Sequence, residues 1–200
     1  MNLKTILSIV LVVSSLNILN AQKGGIKGGV NLSNLYVDNV SDENMKLGIN
    51  VGLWQRSADG ILQTEINYSR KGAEIFYNGV LGNGVYRYNL NYIEFPVLYN
   101  LNINKLSLNM GPYFGMLVGA NIKDVNSNGE VNDIETLSRK DFNFIDYGLA
   151  GGASLNFDTT QVGIRYNYGL REIGTEGTFA REALSNAKNS VLHLYVALAF

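Results

Sequence analysis

Apolar and polar residues alternate along most of the chain beyond residue 22. In residues 45–55, Leu47, Ile49, Val51 and Leu53 share one face, while polar residues and glycines occupy the other. A period of two is typical of β-strands, whereas an amphipathic helix would repeat every ~3.6 residues. The same alternation predicts eight strands, at 25–35, 45–55, 61–71, 85–101, 105–120, 145–157, 161–170 and 192–200.

The connections between these strands alternate in length. Tight turns follow strands two, four and six, at 56–60, 102–105 and 158–160. Long loops follow strands one, three, five and seven, at 36–44, 73–84, 121–141 and 171–189. Short turns on one side and long loops on the other are typical of outer-membrane barrels. We therefore expect an all-β fold, an eight-stranded antiparallel up-and-down transmembrane β-barrel, with the termini and tight turns in the periplasm and the long loops outside.

The N-terminal segment has the features of a secretory signal peptide. Lys4 supplies a positive charge, residues 6–13 are apolar, and Ala21 precedes the expected cleavage site. The apolar run is too short for a spanning helix, which needs ~20 residues, although a retained anchor is the alternative. We expect residues 1–21 to be removed and residues 22–200 to form one integral barrel domain in the cell outer membrane.

The two faces of a membrane barrel have different surroundings. Strand pairing satisfies the backbone, so the apolar face meets lipid and the polar face fills the lumen, which in eight strands is just wide enough for side chains. Aromatic girdles are expected at both interfaces. The outer girdle would contain Tyr36, Tyr77, Tyr86 and Tyr88, and the inner one Trp54, Phe95, Tyr99, Phe157 and Phe200.

The lumen face carries nearly balanced charge. Its predicted members are Lys46, Lys71, Arg87, Arg165, Glu65, Glu94 and Asp146. Buried charges need partners, so we expect a polar plug in which Glu65, Glu94 and Arg165 pair; the alternative is that they are simply hydrated. Placing Arg87 and Glu94 on one face requires a β-bulge near residues 91–92.

Residues 124–135, DVNSNGEVNDIE, match the template of a calcium-binding loop. The oxygen ligands would come from Asp124, Asn126, Asn128, the carbonyl of Glu130 and the carboxylate of Glu135, with Gly129 allowing the sharp turn. The flanks favour strand and loop rather than helices, and the alternative is a polar surface loop that matches by composition. No other cofactor is expected.

Composition narrows the function classes. The net charge of −1 gives no electrostatic case for nucleic-acid binding. The absence of cysteine excludes disulfides, thiolate metal sites and cysteine nucleophiles. His193 is the only histidine and is predicted to face the lumen, with Ser190 just outside it. An enzyme would need a base and a nucleophile placed together, so no catalysis is expected.

Several segments resemble, in order, the PorT-like outer-membrane β-barrel domain family. They are GIKGGVNLSNL at 25–35, EINYSRKG at 65–72, YIEFPVLYNL at 92–101, GPYFGMLVGA at 111–120 and IRYNYGL at 164–170. The resemblance covers about residues 25–200 and implies the barrel fold and the outer-membrane location. It also implies that the last strand, LHLYVALAF ending in Phe200, is read by the barrel-assembly machinery during biogenesis.

The resemblance implies little about activity. One member acts in protein secretion linked to gliding and virulence, but no motif here is specific to that role. We expect an integral barrel surrounded by outer-membrane lipid, with a structural or interaction role through its long loops and an envelope protein as partner. The alternatives are a component of a transport or protein-secretion assembly and, less favoured, a lipid-modifying enzyme.

Overall fold

The computed structural model describes residues 21–36, 45–79, 82–126, 131–136, 141–177 and 187–200. The strands are β1 (Ala21–Tyr36), β2 (Lys46–Ser57), β3 (Leu62–Gly79), β4 (Gly82–Ile103), β5 (Leu106–Asn126), β6 (Val131–Thr136), β7 (Ile145–Asn156), β8 (Thr160–Glu172) and β9 (Lys188–Ala199). No helix in these ranges is long and apolar enough to cross a membrane. The predicted signal peptide, apart from Ala21, lies outside the described residues.

Eight strands close into a barrel. The order of neighbours is β4-β3-β2-β1-β9-β8-β7-β5, and β4 pairs with β5 to complete the ring. All these pairs are antiparallel. β6 forms a hairpin with the far end of β5. The predicted eight-stranded antiparallel barrel is therefore confirmed, with one short additional strand.

The barrel has two distinct ends. The tight turns at 58–61, 104–105 and 157–159 lie at the end where β1 begins and β9 finishes, which we call the turn end. The long connections lie at the opposite, loop end. There the prediction of a loop at 73–84 is wrong, because β3 and β4 stay paired as far as Gly79 and Gly82. The aromatic and β-branched residues of this segment favour strand. The β3–β4 pair therefore extends beyond the loop end of the closed barrel.

The outer surface is apolar and the interior polar, the reverse of a water-soluble protein. Large apolar side chains such as Leu47 and Met110 are exposed by 66% and 68%. Polar side chains fill the lumen instead, and Asn31, Ser69 and Lys71 are fully buried. Since an outer surface of this kind is costly in water, it identifies the face that meets lipid.

The predicted β-bulge is present, but its extra residue lies in β5. Asn91 pairs with Gly119 and Tyr92 with Leu117, which leaves Val118 without a partner in β4. β4 therefore alternates without interruption and turns Glu94 inward while Asn91 faces out.

The placement of Arg87 in the lumen is consequently wrong. Arg87 lies opposite Glu74 in β3 and Lys123 in β5, and its position in β4 has the same parity as Asn91. Asn91 shares the outer face with Arg70, whose guanidinium donates a 3.2 Å hydrogen bond to the side-chain oxygen of Asn91. The prediction is wrong because it placed the extra residue of the bulge in β4, whereas this residue lies in β5.

Two predicted girdle residues also face inward. Tyr88 is 9% exposed and belongs to a buried apolar cluster at the loop end. It faces inward because β4 has no extra residue, so its side chains alternate through Arg87 and Tyr88. Trp54 is 7% exposed and packs in the lumen against Tyr195, because its neighbour Leu53 takes the outward position of β2. The predicted members Tyr99, Phe157 and Phe200 are exposed and Phe95 is half-buried, while the side chains of Tyr36, Tyr77 and Tyr86 lie outside the described residues.

Candidate functional site: the closed lumen and its cap

Three buried charges meet in the lumen near the turn end. Glu65 of β3 receives two hydrogen bonds from the guanidinium of Arg165, at 2.8 and 2.9 Å, and one from Lys27 Nζ at 3.0 Å. Gln63 and Asn67 donate further hydrogen bonds to the same carboxylate. We call Lys27, Glu65 and Arg165 the turn-end cluster. One carboxylate accepting five hydrogen bonds is fully satisfied, which a buried charge requires.

An aromatic ring supports both cations of this cluster. The ring of Tyr195 lies 3.8 Å from Lys27 Nζ and 5.3 Å from the Arg165 guanidinium carbon. Cation–π contacts of this length are attractive and gain strength away from water. Arg165 also donates a 3.2 Å hydrogen bond to Asn109 of β5, so its side chain spans the lumen from β8 and contacts β3 and β5.

A second cluster lies closer to the loop end. Lys71 of β3 forms ion pairs with Glu94 of β4 and with Asp146 of β7, the latter at 3.2 Å. Tyr113 donates a 3.2 Å hydrogen bond to Asp146, and Asn189 donates one of 2.9 Å. We call Lys71, Glu94 and Asp146 the loop-end cluster. All three are at most 3% exposed, so this cluster is as dry as the first.

The space between the clusters is nearly filled. A void of about 10 Å³ lies between the two clusters. It is lined by Arg165 of the turn-end cluster and Glu94 of the loop-end cluster, together with Asn67 and His193. A void of that size holds about one water molecule. This void therefore has room for one bridging water between the two clusters.

His193 is a structural member of this lumen. Its Nδ1 lies 2.6 Å from the side-chain oxygen of Asn31, which also accepts a 2.7 Å hydrogen bond from Asn50. Ser190 points the other way, since its hydroxyl lies 2.7 Å from the hydroxyl of outward-facing Tyr166. His193 and Ser190 are thus on opposite faces of β9, so His193 is not placed to act as a base on that hydroxyl.

An apolar cap covers the loop-end cluster. It consists of Tyr88, Leu90, Tyr92, Leu117, Ala120, Phe142, Ile173 and Ala187, all buried. The first five belong to strands, whereas the other three come from the connections that follow β6 and β8. We call these eight residues the cap.

Backbone hydrogen bonds join the connections that build the cap. Asn143 N–H donates to Ile173 O at 2.7 Å, and Thr175 N–H donates to Asp141 O at 3.0 Å. Ile173 N–H donates in turn to Ala187 O at 2.9 Å. Two connections that are distant in sequence therefore form one small structured unit across the mouth of the barrel.

The predicted lumen network is brought together only in part. Glu65 meets Arg165, but Glu94 pairs with Lys71 instead of Arg165. Lys46 is buried in the lumen, 4% exposed, with its carbonyl accepting a hydrogen bond from Ser33. Arg87 lies on the outer face of β4 and is not part of the lumen.

The predicted calcium loop falls largely beyond what is described. The described residues do not include 127–130, and with them Asn128 and Glu130. They also do not include the side chains of Asp124, Asn126 and Glu135. The backbone on either side is strand, with Asp124 opposite Asp133 and Ile122 opposite Glu135. Calcium binding by this segment stays a prediction.

Sequence reasoning missed two kinds of site residue. Lys27 stands on the polar face of β1, and this alternation was the signal that could have placed it beside Glu65. The cap residues Phe142, Ile173 and Ala187 follow no period, because they lie in irregular connections. Their role emerges only once the barrel brings the connections together.

A closed ring of eight antiparallel strands, with an apolar outside and a polar filled inside, defines a transmembrane β-barrel of the bacterial outer-membrane class. The model of the outer membrane protein beta-barrel domain family matches residues 20–174. The chain belongs to this family, and its location is the outer membrane. In barrels of this class the end with short turns is periplasmic and the end with long loops is extracellular.

Three solved structures are similar to this chain, and the first has the same fold. Neisserial surface protein A is similar over 88% of this chain and 97% of its own, with a TM-score of 0.51 and 13% identity. Ail, the attachment invasion locus protein of Yersinia pestis, crystallised with the heparin analogue sucrose octasulfate, has a TM-score of 0.48 and 14% identity over 89% of this chain and 98% of its own. The N-terminal barrel domain of Pseudomonas aeruginosa OprF has a TM-score of 0.34 and 11% identity over 90% of this chain and 100% of its own. A comparison with curated sequences finds no match.

Proposed function

We propose that the protein is a non-conducting, non-catalytic barrel that presents its extracellular connections to an envelope partner. One observation carries this proposal: the lumen is filled by two buried charge clusters and covered by the cap. A channel needs a continuous wet path, whereas the six charged residues of the two clusters are at most 5% exposed and the void that both clusters line holds about one water molecule.

The cap supports the interaction role. Binding residues are often found on loops held by a rigid scaffold. Here the hydrogen bonds from Asn143 to Ile173 and from Thr175 to Asp141 hold the two connections in a fixed relation. A surface ordered before binding loses less conformational entropy when a partner arrives, so it binds more tightly for the same contact area.

Conductance separates this function from transport. The refolded mature barrel in a planar bilayer is expected to show no stable unit conductance at either polarity. A Glu65→Gln, Lys71→Met double variant that still folds serves as a control, since a disrupted plug can admit ions. Steady unit conductance of the wild-type barrel would overturn the proposal.

Capture from native outer membrane then tests the interaction role. Chemical crosslinking before extraction is expected to recover a partner through the extracellular connections. Recovery of a secretion component in fixed stoichiometry would favour the alternative of a transport or secretion assembly. Recovery of nothing beyond the assembly machinery would contradict the interaction role and leave a purely structural one.

Three finer expectations belong to the same proposal. They are membership of the PorT-like group, export by the signal peptide with cleavage after Ala21, and assembly through the strand ending in Phe200. N-terminal sequencing of the membrane form tests the cleavage site. Calorimetry with millimolar calcium tests the loop at 124–135, and absence of heat would remove that site.

A further inference from the structure

The outer wall of the barrel changes from apolar to polar at one level of β4. Below this level the outward positions of the strand are all apolar, and they are Ile103, Leu101, Tyr99, Val97, Phe95 and Ile93. The strand from Ile103 to Ile93 is ~33 Å long, which gives about 25 Å of height at a tilt of ~35–45°. The apolar band of a membrane barrel has the same height. The polar positions that begin at Asn91 therefore lie at the level of lipid headgroups.

β5 places the boundary at the same level. Its outward positions are apolar from Leu106 up to Met116, which pairs with Ile93. Just above this pair, the extra residue Val118 adds an apolar side chain that is 43% exposed. The next positions, opposite Asn91, Asn89 and Arg87 of β4, are Gly119, Asn121 and Lys123. Two adjacent strands therefore carry one polar patch directly above the apolar band.

Arg70 of β3 is held at the edge of this patch. Its Nε donates a 3.2 Å hydrogen bond to the side-chain oxygen of Asn91, which also accepts a 2.8 Å hydrogen bond from the hydroxyl of Tyr68. The Asn91 amide donates in turn to the carbonyl of Gly119 at 3.4 Å. Among the described residues, none accepts a hydrogen bond from the two terminal nitrogens of Arg70. The guanidinium is therefore positioned with these nitrogens available to a ligand.

Lys123 supplies a second cation on the same face. It lies opposite Arg87 in β4 and Ile134 in β6, so no carboxylate stands opposite it in either ladder. Arg87 lies between the two cations but opposite Glu74 of β3. Its charge is offset across that ladder, so the site depends on Arg70 and Lys123, both of which are half-buried.

The spacing of the two cations favours a ligand with two phosphates. Arg70 and Lys123 are separated by two strand spacings of ~4.8 Å and four residues of ~3.3 Å, or about 16 Å between Cα atoms. A ligand with one phosphate engages one of the two cations. A disaccharide with a phosphate at each end can engage both, and charge-assisted hydrogen bonds of this kind are the strong ones.

We propose that this patch binds the phosphorylated headgroup of lipid A, the glycolipid of the outer leaflet. One phosphate lies against Arg70 and the other against Lys123, while the acyl chains lie on the apolar wall below, over Ile93 and Val118. A soluble anion would use the cations alone, whereas a lipid uses the cations and the continuous apolar wall. The patch shares no residue with the connections offered to a partner, and lipid binding goes beyond the proposed function.

Native mass spectrometry of the detergent-solubilised barrel tests the proposal. Equal amounts of bisphosphorylated lipid A, monophosphorylated lipid A and phosphatidylglycerol are offered separately. The bisphosphorylated form is expected to be retained about tenfold more than the monophosphorylated form, because it makes one more charge-assisted contact. Equal retention of the two forms, or preferential retention of phosphatidylglycerol, would overturn the proposal.

Three variants test the two cations. Arg70→Gln and Lys123→Gln are each expected to lower retention of bisphosphorylated lipid A by about tenfold, to the level of the monophosphorylated form. Arg70→Lys keeps the charge and is expected to lose less than Arg70→Gln. Unchanged retention in either glutamine variant, or equal losses in the two variants of Arg70, would contradict the assigned roles. Heat-modified gel mobility shows that each variant is folded.

A matched control makes the same charge change at the other end of the barrel. Lys105→Gln alters an exposed residue of the turn between β4 and β5. This variant is expected to retain bisphosphorylated lipid A as the wild type does, and a loss equal to that of Lys123→Gln would overturn the site. None of these results depends on conductance or on partner capture, so failure of the lipid site and failure of the proposed function are distinguishable.

Discussion

The two charge clusters of the lumen have opposite composition. The turn-end cluster holds one carboxylate, Glu65, between two cations, whereas the loop-end cluster holds one ammonium, Lys71, between two carboxylates. Each cluster therefore depends on a single minority charge. Removing a minority charge leaves two like charges in a dry interior, which costs more than the loss of one contact.

The surroundings of the clusters differ as well. All members and hydrogen-bond partners of the turn-end cluster belong to barrel strands, so its geometry is fixed by sheet register. The loop-end cluster lies beneath the cap, part of which comes from irregular connections. The first cluster should open only when the barrel unfolds, while the second can be disturbed from above by local opening.

Glu65→Gln is expected to have the largest effect on stability. It leaves Lys27 and Arg165 facing each other across the lumen without their shared anion. Breaking a buried pair in this way costs about 3–5 kcal/mol of unfolding free energy. Urea unfolding of the barrel in lipid vesicles, read by heat-modified gel mobility, measures it.

A double variant shows whether the loss comes from the pair. Glu65→Gln combined with Arg165→Met should be less destabilised than the sum of the single variants, with a coupling of about 1–3 kcal/mol. Simple additivity would mean that Glu65 and Arg165 do not brace each other, and the comparison of the clusters would lose its basis.

Lys71→Met is expected to cost less, about 2–3 kcal/mol at neutral pH. The variant leaves the carboxylates of Glu94 and Asp146 without their shared ammonium, but Tyr113 and Asn189 still donate hydrogen bonds to Asp146. Because this cluster lies beneath the cap, local opening can also bring water to it. Urea unfolding in lipid vesicles, read as for Glu65→Gln, measures the loss. A loss equal to or larger than that of Glu65→Gln would contradict the distinction.

The sequence predicts the barrel fold correctly, but it predicts only some of the ion pairs in the lumen. Alternation places Glu65, Glu94 and Arg165 on the lumen face correctly, because sheet parity is a local property. Which charges meet depends on register across the lumen, as when Arg165 reaches Glu65 rather than Glu94. The position of one extra residue, Val118, decided the face of Arg87 and Tyr88, and no local pattern assigns a bulge to one of two paired strands.

Phe142→Ala tests the upper boundary of the loop-end cluster. The variant removes a ring from the cap and should loosen the connections more than the barrel. Hydrogen exchange at the amides of Asn143 and Ile173 is expected to accelerate about tenfold or more, while the urea midpoint moves less than in Lys71→Met. Phe95→Ala is the matched control, since its ring lies outside the lumen. Unchanged exchange would show that the cap is not a cooperative unit.

Asp59→Asn addresses the turn end and should have the smallest effect. In the turn between β2 and β3, the hydroxyl of Ser57 and the N–H of Ile61, at 2.9 Å, donate hydrogen bonds to one carboxylate oxygen of Asp59.

These two donors, the Ser57 hydroxyl first, lower the pKa of Asp59 below its ordinary value. A lowered carboxyl pKa adds stability above the unfolded-state pKa and loses it as the pH falls through the folded-state value. Wild type should therefore exceed Asp59→Asn slightly in urea midpoint at pH 7, with the difference lost as the pH falls through the folded-state pKa of Asp59. Ser57→Ala should reproduce the same pH profile, because it removes the first donor. A difference that stays constant with pH would mean that the amide perturbs the turn by its shape, and the charge of Asp59 would have no part in holding this end of the barrel.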